Sequence, residues 1–237
     1  MSEWKAKRFW KKAEVTETDG GHTVTLDGRP VKTPAKALLV LPTRAMAEAV
    51  AAEWQAQEKD IDPLSMPVTR GANAAIDKVS VQRAAVVAML AEYGDSDLLC
   101  YRAAGPEELI AQQAEGWDAP LAWAADRFAA TLRTGQGVMH VLQDADALAA
   151  LRAALDAHDD FEIAAMHDLV SISGSLVLAL AVSEGHLSPA EAWRLSRIDE
   201  DWQISQWGED EEAMEAAAKK REAFEAAARF LDLARAR

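Results

Sequence analysis

Ala37-Leu38-Leu39-Val40-Leu41-Pro42-Thr43-Arg44-Ala45-Met46 is the stretch at which the chain changes period. Ala37–Leu41 is a short apolar run and reads as the last strand of a sheet. Pro42 stops it, and Thr43 can cap a helix that carries Met46, Ala49/Val50 and Trp54 on one side. Upstream the period is two. Phe9, Lys11, Ala13 and Val15 alternate with Trp10, Lys12, Glu14 and Thr16, Asp19-Gly20-Gly21 is a turn, and Thr23–Leu26 alternates again. Asp27-Gly28 is a strong hairpin signal, while Pro30, Pro34 and Pro42 belong at strand edges or ends. The outcome is a small, twisted, mostly antiparallel sheet that needs the 43–58 helix to cover it.

Downstream the period stays helical. Ile61–Met66, flanked by Pro63 and Pro67, is a connector, and it places a boundary between a β-rich N-terminal domain, 1–68, and a helical C-terminal domain, 69–237. Helices are expected at 69–79 and 80–93. Gly105-Pro106-Glu107-Glu108 starts another, with Leu109, Ile110, Gln113 and Trp117. Asp118 can cap the next, which carries Leu121, Trp123 and Phe128. Val138–Leu142 reads as extended. Helices follow at 144–157, 160–171, 174–184 and 189–207, and a Glu/Ala/Lys-rich helix at 209–235 has Ala217, Phe224, Ala228 and Leu231 on its apolar side. The fold class is α+β.

Composition narrows the function. The formal net charge is −14, and residues 81–192 hold five Lys/Arg against seventeen Asp/Glu. So acidic a middle segment speaks against nucleic acid or an anionic membrane as the partner. Cys100 is the single cysteine, in the apolar run Leu98–Tyr101, so it reads as a buried thiol in a reducing compartment. No apolar run reaches the ~20 residues that span a bilayer. A cytoplasmic location is expected.

Signatures of catalysis are scarce. The sequence has no glycine-rich phosphate loop, no Gly-x-Ser-x-Gly and no Cys–His spacing that fits zinc. The small residues of Ser171–Ser175 suit a close approach of two helices. Asp156, His158, Asp159, Asp160, His167 and Asp168 form the one cluster with metal-ligand chemistry, which keeps a metal-dependent HD-type hydrolase as the alternative. Solvated helix ends, with Asp160 as an N-cap, explain the same residues more simply. Arg29 and Lys32 form a basic tip after the Asp27-Gly28 turn, which is either plain exposed hairpin charge or a docking contact. Trp10 is expected in the sheet core, and Trp4 either there or on an exposed patch.

Binding chemistry concentrates in Ser196–Glu212. Ser188-Pro189-Ala190-Glu191 starts its helix, with Ser188 as cap and Glu191 closing a capping box. At helical spacing Leu195, Ile198 and Trp202 make the core stripe. Asp199, Gln203 and Trp207, with Gln206 beside them, make a second stripe that mixes carboxylate, carboxamide and indole. A large aromatic among polar donors and acceptors is characteristic of a binding surface, although on spacing alone the same stripe reads more simply as Trp207 capping the core edge with its charges in water.

In order along the chain, these motifs resemble one family. They are Arg8-Phe9-Trp10-Lys11, Leu26–Pro34, Leu41-Pro42-Thr43, Glu53–Gln57, Met66–Thr69, Asp97–Ala103, Gln113 with Trp117-Asp118, Gly174-Ser175, and Asp199-Glu200 through Trp202-Gln203 to Gln206–Asp210. The chain is similar to the Atp-twelve family of assembly chaperones, which handle the α subunit of the F-type ATP synthase in mitochondria and α-proteobacteria. Gln55, Ser96 and Ala119 depart mildly from its pattern. The resemblance implies a non-enzymatic chaperone without cofactor, monomeric when free, that shields the unassembled α subunit. It also supports a partner-binding set of Asp199, Glu200, Trp202, Gln203, Gln206, Trp207, Glu209 and Asp210, to which the basic tip of Arg29 and Lys32 is added as a docking contact. Asp199 matches the family's functionally important acidic residue.

Overall fold

The computed structural model describes residues 7–137 and 139–236. Its contacts group the chain into two compact units. The first takes the chain up to Arg83, Asp160–Ala165 and the chain from Arg229; the second takes Ala84–Asp159 and Met166–Ala228. The class is α+β, a small antiparallel sheet followed by helices.

In the first unit β1 (Ala13–Thr18) pairs antiparallel with β2 (Gly21–Leu26), Val15 opposite Val24, and β3 (Arg29–Pro30) returns on the other edge of β2. Asp27 and Gly28 both take positive φ, which the tight return requires. The Asp27 carboxylate accepts from the Lys12 and Lys11 amides, and these bonds hold it below its ordinary acidity range. Ala37–Leu41 does not form the expected strand. Single bridges, His22 to Leu41 and Lys32 to Leu38, replace a ladder. Proline at 34 lacks an N–H, and Lys36 adopts φ 70°, so the backbone there cannot run straight. The apolar side chains are still used, since Leu39 and Leu41 are wholly buried.

Helix α1 (Arg44–Ala56) begins as expected, the Thr43 hydroxyl accepting from the Met46 amide at 3.1 Å. It buries Met46, Ala47 and Val50, and half-buried Trp54 meets the core residue Trp10 edge-on at 5.2 Å. Trp4 lies outside the described residues. Helix α2 (Pro67–Ala74) continues through a π turn, Ala75–Val79, into α3 (Ser80–Glu92), which is kinked at Gln82. Gly71 is required by packing: a Cβ there would lie 2.7 Å from the Phe230 ring, which itself stacks on Phe161 at 6.3 Å.

The second unit is built around one buried helix. A one-turn 3-10 segment, Leu98–Cys100, leads into β4 (Tyr101–Arg102), α4 (Glu107–Phe128) and β5 (Gly135–Gln136), which pairs parallel with β4. Then come α5 (Ala145–Asp156), α6 (Asp160–Ser173), α7 (Leu176–Ser183), α8 (Pro189–Ser196), α9 (Ile198–Trp207) and α10 (Glu211–Arg235), with Asp160–Ala165 of α6 and the end of α10 from Arg229 counted in the first unit. Helix α7 is apolar on every side, and Leu176–Ala181 are all buried, which is the pattern of a helix surrounded by others. The segment before it turns through Gly174 (φ 71°), and Ser175 caps it by accepting from the Leu178 amide at 3.0 Å. The small residues of Ser171–Ser175 thus make a turn and a cap.

Two helix boundaries differ from expectation. Residues 107–128 form one helix rather than two. Asp118 lies inside it and pairs with Arg102 at 2.8 Å instead of capping a new start. Pro120 is carried within the helix, where its ring falls toward the carbonyl of Gly116 four residues back. Gly116 itself has no room for a side chain, because a Cβ would meet Ile198 at 2.5 Å and Leu195 at 3.0 Å. Conversely, the expected 189–207 helix breaks at Arg197 (φ −109°, ψ 3°) into α8 and α9. Of the extended reading at 138–142, Val138 lies outside the described residues, and Met139–Leu142 belong to no strand. Asp160 opens α6 from within the helix and pairs with Arg83 at 2.9 Å, both in the first unit.

Candidate functional site

The break at Arg197 shapes the site. Up to that residue the stripe serves the core: Leu195 and Ile198 are buried. Beyond it α9 is re-aimed, and Trp202 does not continue into the core but is half-buried at the wall of an open groove of about 590 Å³. Asp199, Gln203, Gln206 and Trp207 line the same wall. The opposite wall comes from β4 and the start of α4, chiefly Tyr101, Arg102, Pro106, Leu109 and Gln113. All of these residues lie in the second unit.

Gln113 ties the walls together. Its carbonyl accepts from the Ala103 amide at 2.8 Å, and its side-chain amide donates to Asp199 Oδ1 at 2.6 Å. Gln113 is buried, so both bonds are shielded from competing water. Asp199 is thereby held half-buried at the groove wall. Trp207, at the end of α9, is 80% exposed, so its indole is available to a partner.

Arg102 is the other charge at the groove, and it is already engaged. It donates to the Leu99 carbonyl at 2.9 Å and to Asp118 at 2.8 Å, and lies over the Trp117 ring at 5.5 Å. Trp117 is wholly buried and donates its indole N–H to the Leu195 carbonyl at 2.8 Å. The segment leading into β4 is anchored by Asp97, whose buried carboxylate accepts from the Leu99 and Val177 amides, each at 3.0 Å. Burial outweighs these bonds and pushes the Asp97 carboxyl up to about 6. Cys100 is buried beside it, and burial together with the Asp97 charge pushes the thiol up to about 12. That thiol is packing, not a nucleophile.

The other expected partner residues are placed differently. Glu200 is exposed and pairs with Arg197 at 3.3 Å. Asp210 caps α10, accepting from the Ala213 amide at 2.7 Å, and Glu209 is exposed next to it. Arg29 and Lys32 are exposed in the first unit. Tyr101, Arg102, Pro106 and Leu109 had no role in the binding stripe inferred from the sequence. The signal was present in the Asp97–Ala103 and Gln113 motifs, but nothing local says that they face α9.

The metal cluster is not assembled. His158 is buried, its Nδ1 2.9 Å from the Ala154 carbonyl and its Nε2 2.7 Å from the Ser183 hydroxyl. His167 and Asp168 lie against each other at 2.9 Å on the surface. Among the described residues no group of three or more His, Cys, Asp or Glu could hold a metal ion. Likewise, among those residues no helix is long and apolar enough to cross a membrane.

Residues 7–125 match the family described as ATP12 chaperone protein. The chain belongs to the ATP12 family. The match covers the sheet, α1 to α3 and most of α4, and the likeness extends well beyond it. The mitochondrial protein atp12 of Schizosaccharomyces pombe is 23% identical over 229 residues, covering 88% of this chain and 76% of that protein. The crystal structure of Atp12 from Paracoccus denitrificans is 50% identical, covers 98% of this chain and 100% of that one, and superposes with a TM-score of 0.94. An aspartate-to-lysine mutant of the same Atp12p gives 49% identity with the same coverage and TM-score. The resemblance drawn from the ordered motifs therefore holds, and with it the reading of this ATP12 chain as an ATP synthase assembly chaperone.

Proposed function

We propose that this ATP12 chaperone binds the unassembled α subunit of the F-type ATP synthase through the groove between α9 and the β4–α4 segment. It would work in the cytoplasm, without catalysis or cofactor. The observation that carries the reading is the groove of a family chaperone, walled by Trp202 and Trp207 and polarised by a fixed Asp199. An unpaired subunit exposes interface that aggregates, and a partly apolar groove with few fixed polar groups suits the temporary cover of such a surface. Release needs no nucleotide hydrolysis, because the larger native interface with the next subunit displaces the chaperone by mass action. Glu200, Glu209 and Asp210 extend the acidic rim of α9, and Arg29 and Lys32 supply a second contact from the hairpin tip.

The test is light scattering of purified α subunit at a temperature where it aggregates. An equimolar amount of this protein is expected to suppress the signal. Unchanged scattering, together with no co-elution of the two proteins, would remove the α subunit as client.

A further inference from the structure

The charge balance of the groove points to the side chain it receives. Among the described residues only two that line it are formally charged, Arg102 and Asp199. The Arg102 guanidinium is neutralised by Asp118 at 2.8 Å, bound to the Leu99 carbonyl and 12% exposed, so it offers no free charge to a ligand. Asp199 has no ion-pair partner among the described residues, and its one side-chain hydrogen bond comes from a neutral amide, that of Gln113. The groove is therefore built around one uncompensated, half-buried and rigidly oriented carboxylate. Its neighbours are two indoles, Trp202 and Trp207, and the carboxamides of Gln203 and Gln206.

A cation complements that carboxylate, and the surroundings select which. Guanidinium is planar, forms paired hydrogen bonds to a carboxylate, and stacks on indole faces while its edge donates to amide carbonyls. An ammonium group is more strongly hydrated and uses the indoles less well. Leu109 and Pro106 on the opposite wall supply apolar surface for the residues flanking the cation. We propose that the groove is an arginine receptor: it takes an arginine side chain from an extended, otherwise apolar segment of the client, guanidinium on Asp199 and between the indoles of α9. This deepens the client reading above and rests on it for the source of the segment, but not for the chemistry.

The probe is the capped tripeptide acetyl-Leu-Arg-Leu-amide, titrated into the full-length protein labelled with nitrogen-15 at tryptophan. The readout is the indole N–H resonances of Trp202 and Trp207. Parallel titrations use the same tripeptide with Lys, Gln or Glu in place of Arg. The arginine peptide is expected to shift both resonances saturably and to bind roughly tenfold tighter than the glutamine peptide, the difference of one charge-assisted pair. Lysine should fall between them, and glutamate should not bind. Asp199→Asn, which keeps the shape and the bond from Gln113, should erase the preference for arginine over glutamine. Trp207→Ala, at an exposed position, should weaken the arginine peptide more than the glutamine one.

Equal binding of arginine and glutamine peptides, equal binding of arginine and lysine, or a preference that survives in Asp199→Asn overturns the proposal. Its failure is separable from that of the client reading. If the wild-type protein suppresses α-subunit aggregation but shows no arginine preference, the receptor is wrong and the client stands. If the preference is present without suppression, the receptor stands and the client is another chain.

Discussion

Gln113 and Asp199 are 86 residues apart in sequence and joined by a 2.6 Å hydrogen bond, with the same Gln113 side chain bonded at its other end to the Ala103 amide. The bond makes the orientation of the groove's carboxylate a property of α4 as much as of α9. Replacing Gln113 by Leu keeps the volume but leaves the Ala103 N–H without its acceptor and Asp199 without its donor. A loss of about 1–3 kcal/mol in stability is expected, the cost of stranded polar groups, measured by urea unfolding. Gln113→Glu should cost at least as much stability at neutral pH, because a second buried carboxylate would then face Asp199.

Asp97 predicts a pH dependence. Its carboxyl is raised from 3.8 to about 6 in the folded protein. Below pH 4 both folded and unfolded chains hold the proton. Between about pH 4 and 6 only the folded chain does, so folding binds a proton and this contribution to stability is lost as pH rises, to a total of about 3 kcal/mol. Other carboxylates titrate over the same range, so the observable is the difference in unfolding free energy between the wild-type protein and Asp97→Asn. That difference should shift against the wild type as pH rises from 4 to 7 and level off above it. A flat difference would show that the buried carboxyl titrates normally.

Gly71 predicts a steric defect far from the groove. In Gly71→Ala the new methyl would sit 2.7 Å from the Phe230 ring, a rigid neighbour already stacked on Phe161. Overpacking of this kind costs about 1–3 kcal/mol. A second substitution, Phe230→Leu, should recover part of the loss in a double-mutant cycle, since the two changes share the same space.

Trp207 predicts the reverse separation. At 80% exposure it touches little of its own chain, so Trp207→Ala should change the melting midpoint hardly at all, within about 0.5 kcal/mol. Suppression of α-subunit aggregation should nevertheless fall. If the variant protects as well as the wild-type protein, the indole is not part of the contact.

Cys100 predicts unreactivity. A buried thiol pushed up to about 12 holds almost no thiolate at neutral pH. Ellman's reagent should leave it unmodified in the native protein and react at once in denaturant. Fast labelling of the native state would mean that the Leu98–Tyr101 segment opens readily.

Local chemistry carried much of the architecture. Asp27-Gly28 specified a hairpin because few other pairs accept its positive φ values, Thr43 and Ser188 specified helix starts because their side chains satisfy amides within the same turn, and the apolar run within 174–184 specified a helix, which the structure buries on every side. Where local signals misled, tertiary packing overruled them. Asp118 and Pro120 both suggest a helix boundary, yet α4 runs through them, because Arg102 takes the carboxylate and the side-chain-free Gly116 lets α4 lie close against Leu195 and Ile198. Arg197 looked like an interior helical residue, and the break there is what turns Trp202 from the core into the groove.

The sequence by itself determined the hairpin, most of the helix starts and the Asp199, Gln203 and Trp207 stripe of α9, since each is encoded in residues near one another along the chain, and its ordered motifs carried the family. Only the tertiary structure decided what stands opposite that stripe and which elements complete each unit. The Thr43 hydroxyl that begins α1 donates to the Leu233 carbonyl 190 residues later, and Asp199 is held by Gln113. Such contacts form between groups that have no periodic or capping relation to each other, so their partners are set by how whole helices pack and not by any pattern in the adjoining residues.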